Sequence, residues 1–386
     1  MALAMPACLW SSGSASNSGG ADESGSSSDD DGNGNGSATQ ASSATQGSGA
    51  SGADTTGGEG SCYGDSDVGC TSLSWNDIAT IIEALYLFDD SYYGYTKSEA
   101  LELAHQLYDE GVVPGAWLRV LALQDLGNGR WRAHVAVAGA DGHAVGDLDP
   151  SAFDVSFDGG DAIAPAVAYP LGEADPDDVH AELSVIVDDS GSITDCDAAF
   201  VQAGVTQLFD TVPPIYAASL IKFADDVYTA HARTEDTTAL ADAMASYCTD
   251  RGSTSLWDAI EAGVSDLPAF EGLRTVIVFT DGLDNDSDTS LSAVIDHAQA
   301  ERVPVIVIGL GLADMFALSR LALETDGGLV YIHSGQQALT AFEVATSFVS
   351  DSYVVEVEAD VPFESIRFTA TLQGGATVSD AASPPS

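Results

Sequence analysis

One carboxylate and two hydroxyls alternate over five residues, Asp188-x-Ser190-x-Ser192. In an extended or turning backbone, alternate side chains point the same way, so three oxygen-bearing groups aim at one point. Such a set suits a hard cation of the Mg²⁺, Mn²⁺ or Ca²⁺ type. Two more groups of the same chemistry lie farther along the chain. Thr254 stands in the turn Gly252-Ser253-Thr254-Ser255-Leu256, and Asp281 in Thr280-Asp281-Gly282. A reading of Ser190 as a catalytic nucleophile needs a base beside it, and His231, His297 and His333 have no evident place there. The chain carries no G-x-S-x-G, HExxH or phosphate-binding loop, and no histidine or cysteine at zinc spacing. The expectation is therefore not an enzyme.

The elements that must position these residues read as strictly alternating. Apolar, β-branched runs occur at 183–187, 217–223, 275–279, 303–308 and 329–332. Helix-spaced segments at 198–209, 238–247, 256–265, 291–301, 315–324 and 337–350 separate or follow them. Strand and helix in turn predict an α/β fold, a doubly wound, mostly parallel sheet covered on both faces. Sites in such sheets form at the carboxyl ends of the strands. Asp188 and Asp281 each follow an apolar run, as that rule requires.

Taken together, Asp188-x-Ser190-x-Ser192, Thr254 and Asp281 resemble the metal-ion-dependent adhesion site of the von Willebrand factor A domain. The resemblance covers residues 182–350. It includes Lys222-Phe223-Ala224-Asp225-Asp226 and the Val-Ile-Gly-Leu-Gly stretch ending at Gly311. It implies a Rossmann-like fold and a non-enzymatic, adhesion-type binding module. It assigns Ser190, Ser192 and Thr254 as ligands of Mg²⁺ (or Mn²⁺ or Ca²⁺), with Asp188 and Asp281 acting directly or through water. One coordination position is left for an Asp or Glu carboxylate of a protein or surface ligand. The alternative is an assembly component of a cell-envelope complex in which the metal is incidental.

Around this unit the period changes. Residues 71–111 read as a helical segment, with Ser74 or Asn76 as a cap and a capping box at Thr96-Lys97-Ser98-Glu99. Residues 112–180 read as the first part of a β-sandwich, with strands near 117–123 and 131–137 joined through Gly127-Asn128-Gly129. Asp141-Gly142, Val145, Leu148, Phe153, Val155 and Asp158-Gly159 resemble an immunoglobulin-like segment that precedes metal-binding domains in bacterial surface proteins. Strands in 351–376 are expected to complete the sandwich. The unit at 181–350 is then an insertion, and 377–386 a loose tail. His134 and His143 read as surface residues. The run Asp284-Asn285-Asp286-Ser287-Asp288 lacks the central Gly and distal Glu of a calcium loop and reads as a solvated acidic loop.

Charge sets the partners. Eleven Lys plus Arg stand against 60 Asp plus Glu, a formal net charge of −49 in 386 residues. Such a field repels nucleic acid and anionic headgroups. It fits either salt adaptation or a generally acidic secreted proteome. Residues 1–10 resemble the end of a bacterial lipoprotein signal, with Ala7 before a lipidated Cys8, although a basic start is missing and the apolar part is short. Residues 11–70, rich in Gly, Ser and Asp, are expected to be a disordered tether. The membrane is reached only through that N-terminal anchor, and the implied location is extracytoplasmic, at a bacterial envelope or surface. Cys62 could bridge to Cys70, and Cys196 to Cys248; four cysteines allow three connectivities, and sequence does not choose among them.

Overall fold

The computed structural model describes residues 70–384, apart from 88–90, 93, 246, 248–251, 270–271, 312 and 360. The expected signal remnant, most of the tether, Cys8, Cys62 and Cys248 lie outside the described residues. In chain order the elements begin with α1 (Trp75–Leu85), β1 (Ser91–Tyr92), β2 (Tyr95–Thr96), α2 (Lys97–Glu110), β3 (Trp117–Gly127) and β4 (Arg130–Ala138). Then come β5 (Phe153–Phe157), β6 (Val167–Pro170), β7 (Ala181–Asp188), α3 (Asp195–Thr211), β8 (Tyr216–Phe223) and β9 (Val227–Thr234). The series continues with α4 (Thr237–Met244), α5 (Leu256–Asp266), β10 (Leu273–Thr280), α6 (Leu291–Glu301) and β11 (Val305–Leu310). It closes with α7 (Met315–Glu324), β12 (Gly328–Ile332), α8 (Ala338–Ser350), β13 (Tyr353–Glu358), β14 (Ile366–Thr371) and β15 (Thr377–Ala382).

The central sheet has the order β12-β11-β10-β7-β8-β9, parallel throughout except for β9, which runs antiparallel to β8. Side chains alternate across it. Leu183, Val185, Val187 and Phe279 join α3, α4 and α8 in one core, while Ile186, Val276 and Val278 join α5, α6 and α7 in the other. The chain leaves β7 toward β8 on one side and returns to β10 on the other. The β7/β10 boundary is thus the switch point, where a crevice opens beyond the strand ends. Strand β9 has no counterpart among the apolar runs of the sequence. Its alternating residues are exposed or only half-buried, as befits an edge strand.

Two smaller sheets, β3-β4-β13-β6 and β15-β14-β5, share a core of Leu118, Val135, Phe153, Tyr353, Val355 and Phe368. Thr377–Ala382, expected as part of a loose tail, forms β15 and pairs with β14 from Thr371↔Thr377 to Ile366↔Ala382. Its partner strand supplies the hydrogen bonds that a short polar segment cannot hold alone. His134, read as a surface residue, is 1% exposed in β4. It sits on the sheet face that turns toward the α/β unit, beside Ala136 and Val354. Ser74 caps α1 and Thr96 caps α2, each with a complete capping box. The two helices contribute Ile78, Ile82, Ala104 and Leu107 to the core beneath α7 and β12.

Among the described residues a disulfide joins Cys70 to Cys196, which corrects both expected pairings, Cys62 with Cys70 and Cys196 with Cys248. The reason lies in the fold. Residue 71 is seated on the first turn of α3, where Asp197 accepts from the Thr71 N–H at 3.1 Å and from its hydroxyl at 2.6 Å. That brings Cys70 to Cys196 with a Cα separation of 4.8 Å.

Candidate functional site

Asp188 ends β7, and Ser190 and Ser192 occupy the turn between β7 and α3. The Ser190 N–H donates to Asp188 Oδ1 at 2.9 Å, which folds the turn back over the strand end. Ser190 Oγ and Ser192 Oγ are 3.0 Å apart, and the Ser192 hydroxyl donates to Asp281 Oδ1 at 2.6 Å. Asp281 follows β10, whose register pairs Phe279 with Val187, so the two aspartates come from adjacent strand ends. Thr254 arrives from the turn before α5. A methyl group placed on Gly282 would lie 3.2 Å from Thr254 Oγ1 and 3.7 Å from Ser192 Oγ, which puts both hydroxyls against the same glycine. All five residues singled out in the sequence therefore meet at the switch point. Asp188, Ser190, Thr254 and Asp281 are buried and Ser192 is exposed, so the cluster opens to solvent at Ser192.

The electrostatics are unfavourable as they stand. Burial lifts the Asp188 carboxyl above its ordinary value, against hydrogen bonds from Ser190 and Thr280. Asp281 lies well above it, from burial first and then from the neighbouring Asp188 charge. Among the described residues, neither aspartate has an ion-pair partner. No group of three or more His, Cys, Asp or Glu side chains at metal-holding spacing occurs among the described residues. The set gathered here relies on three hydroxyls beside two carboxylates.

Residues assigned no role from the sequence hold the five in place. The Thr280 hydroxyl donates to Asp188 Oδ2 at 2.6 Å. The buried Tyr247 hydroxyl donates to the Asp188 carbonyl. Its ring lies 5.3 Å from Lys222 Nζ, whose pKa is lowered by burial against the pull of Asp189. The Tyr228 hydroxyl donates to Asp189 Oδ2 at 2.7 Å. Asp225 accepts from the Ser253 N–H, and a Cβ on Gly252 would stand 2.5 Å from Asp225 Oδ1 and push that carboxylate aside. Thr280 and Gly252 belong to the Thr-Asp-Gly and Gly-x-Thr patterns, but those patterns do not signal Tyr247 or Tyr228. Lys222 and Asp225, inside the Lys222–Asp226 stretch, carry a hint as well.

The acidic run read as a solvated loop does face solvent, with Asn285, Asp286 and Asp288 exposed, and it also acts as a clasp. Asn285 Oδ1 accepts from the Thr254 N–H at 2.9 Å, and the Asn285 N–H donates back to the Thr254 carbonyl at 3.0 Å. Asp284 accepts from the Trp257 N–H at the start of α5 at 3.3 Å. Asp258 in turn accepts from the Asp288 and Thr289 N–H groups at 2.9 Å each. These carboxylates answer otherwise unpaired backbone donors, a common role for acids at helix starts and turns.

A family model for the von Willebrand factor type A domain matches residues 182–344, and this segment is a domain of that type. A search of the curated proteins finds no match. Among solved structures, proximal thread matrix protein 1 from the mussel byssus, described with a zinc-occupied MIDAS motif, is similar at 20% identity and a TM-score of 0.40. That match covers 44% of this chain and 48% of the mussel chain. The chain thus spans about half the length of that protein. BatB from Bacteroides thetaiotaomicron is similar at 17% identity and a TM-score of 0.37, over 44% of this chain and 98% of its own. A von Willebrand factor type A protein from Catenulispora acidiphila is similar at 12% identity and a TM-score of 0.38, over 70% of this chain and 74% of its own. No helix among the described residues is long and apolar enough to cross a membrane.

Proposed function

We propose that Asp188, Ser190, Ser192, Thr254 and Asp281 hold a divalent cation of the Mg²⁺ class, and that the domain is a metal-dependent binding module whose partner contributes an Asp or Glu carboxylate. The observation that carries this reading is the pair of buried aspartates at adjacent strand ends. Both are raised in pKa, and among the described residues neither has a paired cation. Two like charges in a buried crevice are unfavourable unless a cation joins them, and three hydroxyl oxygens are gathered beside them. Hard oxygens from carboxylates, hydroxyls and water are what Mg²⁺ and Mn²⁺ take up. When bound, the ion would supply a positive centre able to accept one further anionic oxygen. Asp188 and Asp281 would balance its charge. Ser190, Ser192 and Thr254 would donate neutral oxygens, and Thr280 and Asn285 would hold the aspartate and the threonine in place.

The same reading places the chain outside the cytoplasm, as a bacterial envelope or surface protein tethered through Cys8. The Cys70–Cys196 bond supports an oxidising compartment. A titration of the full chain with Mg²⁺, Mn²⁺, Ca²⁺ and Zn²⁺ against EDTA tests the metal. At a hundredfold excess over Kd, binding adds about 2.7 kcal/mol to stability, and Asp188→Ala removes that gain. A wild-type melting curve unmoved by any of the four ions sinks the proposal. Partner capture that survives EDTA, in a protein that does bind metal, supports the assembly role instead.

A further inference from the structure

Two large apolar side chains stand exposed on segments that adjoin the candidate site. Tyr228 is 42% exposed and Leu283 is 36% exposed. Tyr228 is oriented by its hydrogen bond to Asp189, the neighbour of Asp188, and Leu283 follows the Gly282 that touches Thr254 and Ser192. The two come from different strand ends, β9 and the turn after β10. A tyrosine held at its hydroxyl and an exposed leucine beside a polar centre have the make-up of an interface anchor. Around them, Asp225, Asp226, Asp286 and Asp288 are exposed, and residues 189–194, 224–226, 252–255 and 281–290 contain no Lys or Arg.

Resting on the function proposed above, we infer that the site's partner is a cationic protein surface in which one Asp or Glu lies between Lys or Arg side chains and next to an apolar side chain that covers Leu283 and Tyr228. The charge balance selects this occupant. Asp188 and Asp281 together neutralise one divalent ion, and among the described residues no Lys or Arg is paired with the four exposed rim aspartates. A bare or acid-flanked carboxylate must approach through that field, whereas one flanked by cations is drawn in. A second copy of this chain, at a formal net charge of −49, is repelled. Encounter with the cationic partner quickens at low salt and slows as the Debye length falls below about 8 Å.

The test is selection of a phage-displayed library of random peptides on the purified full chain in Mg²⁺, with elution by EDTA. The expected result is EDTA-sensitive peptides that share one Asp or Glu, an excess of Lys and Arg, and a neighbouring Leu, Phe or Met. Their binding should weaken about tenfold in Leu283→Ser and more in Leu283→Lys, while both variants keep the wild-type rise in melting temperature with Mg²⁺. EDTA-sensitive, carboxylate-dependent peptides with no basic or apolar preference, or equal affinity for wild type and Leu283→Ser, overturn this inference and leave the proposed function standing. A selection that yields no EDTA-sensitive peptide overturns both.

Discussion

At the contact between the four-stranded sheet and the α/β unit, a buried charge is fully answered; at the β7/β10 switch point it is not. Arg132 of β4 has a side chain only 3% exposed. Its guanidinium donates to Glu356 of β13 at 2.6 and 2.9 Å, to the Asp178 carbonyl at 2.9 Å, and to the Asp178 carboxylate. One cation thereby ties β4, β13 and the segment entering β7 into a single network. Asp188 and Asp281 instead place two carboxyls of one sign side by side, held by hydroxyls and N–H groups. The first arrangement is complete within the protein. The second is complete only with something added, which is how a binding site differs physically from a structural ion pair.

Breaking the completed side should have the largest effect. Arg132→Leu leaves Glu356 with only the exposed Arg130 at 3.0 Å and frees the solvent-exposed Asp178 carboxylate, and it should cost about 3 kcal/mol in urea unfolding, with the Mg²⁺ response retained in whatever folds. A loss below about 1 kcal/mol would show the network to be dispensable. Next in size is the covalent tie beside the switch point. Cys196→Ser opens a link spanning 126 residues and should lower stability by about 2–5 kcal/mol under oxidising conditions. Equal melting of wild type and variant without reductant would contradict this.

His134 separates the two regions by pH. Burial, and then the Arg132 charge, pulls its pKa down to about 4. The unfolded chain takes up a proton near pH 6.5 that the native fold refuses, so stability is lost as pH falls from about 6.5 toward 4. The full difference is about 3 kcal/mol, and His134→Val should flatten that part of the stability profile. An unchanged slope in the variant would assign the pH dependence elsewhere. The smallest effect has the opposite sign. Asp281→Asn keeps an acceptor for Ser192 but removes one of the two like charges. In EDTA it should melt higher than wild type, by about 1–2 kcal/mol, and it should lose the response to Mg²⁺. Destabilisation in EDTA would mean that the aspartate pair is not under mutual repulsion.

Much of the α/β unit is legible in the sequence alone. The expected runs at 183–187, 275–279 and 329–332 lie within β7, β10 and β12, and α6 and α7 match the expected helices end to end. Buried parallel strands are continuous β-branched runs, and capped helices carry their signals at their ends, so both are local statements. Local pattern does not reveal whatever depends on a neighbour. Edge strand β9 has no inner face rich enough to announce it, and β15 exists through its pairing with β14. His134 lies on a strand whose two faces are both covered, which alternation within that strand does not show.

The sequence by itself determined the donor chemistry of the candidate site. Asp188, Ser190 and Ser192 share a side because side chains alternate along an extended backbone, and Thr254 and Asp281 follow turns that helix and strand signals bracket. Tertiary structure alone decided that β7 and β10 are neighbours, so that two aspartates 93 residues apart face one crevice. It also decided that Asn285 clasps Thr254, that Tyr247 and Thr280 brace Asp188, and that Cys196 takes Cys70 as its partner. The reason is the range of the forces. Backbone sterics and periodicity act over a few residues and are written in spacing. Strand order and cysteine pairing follow from burying both faces of one sheet at once, a condition on the whole chain.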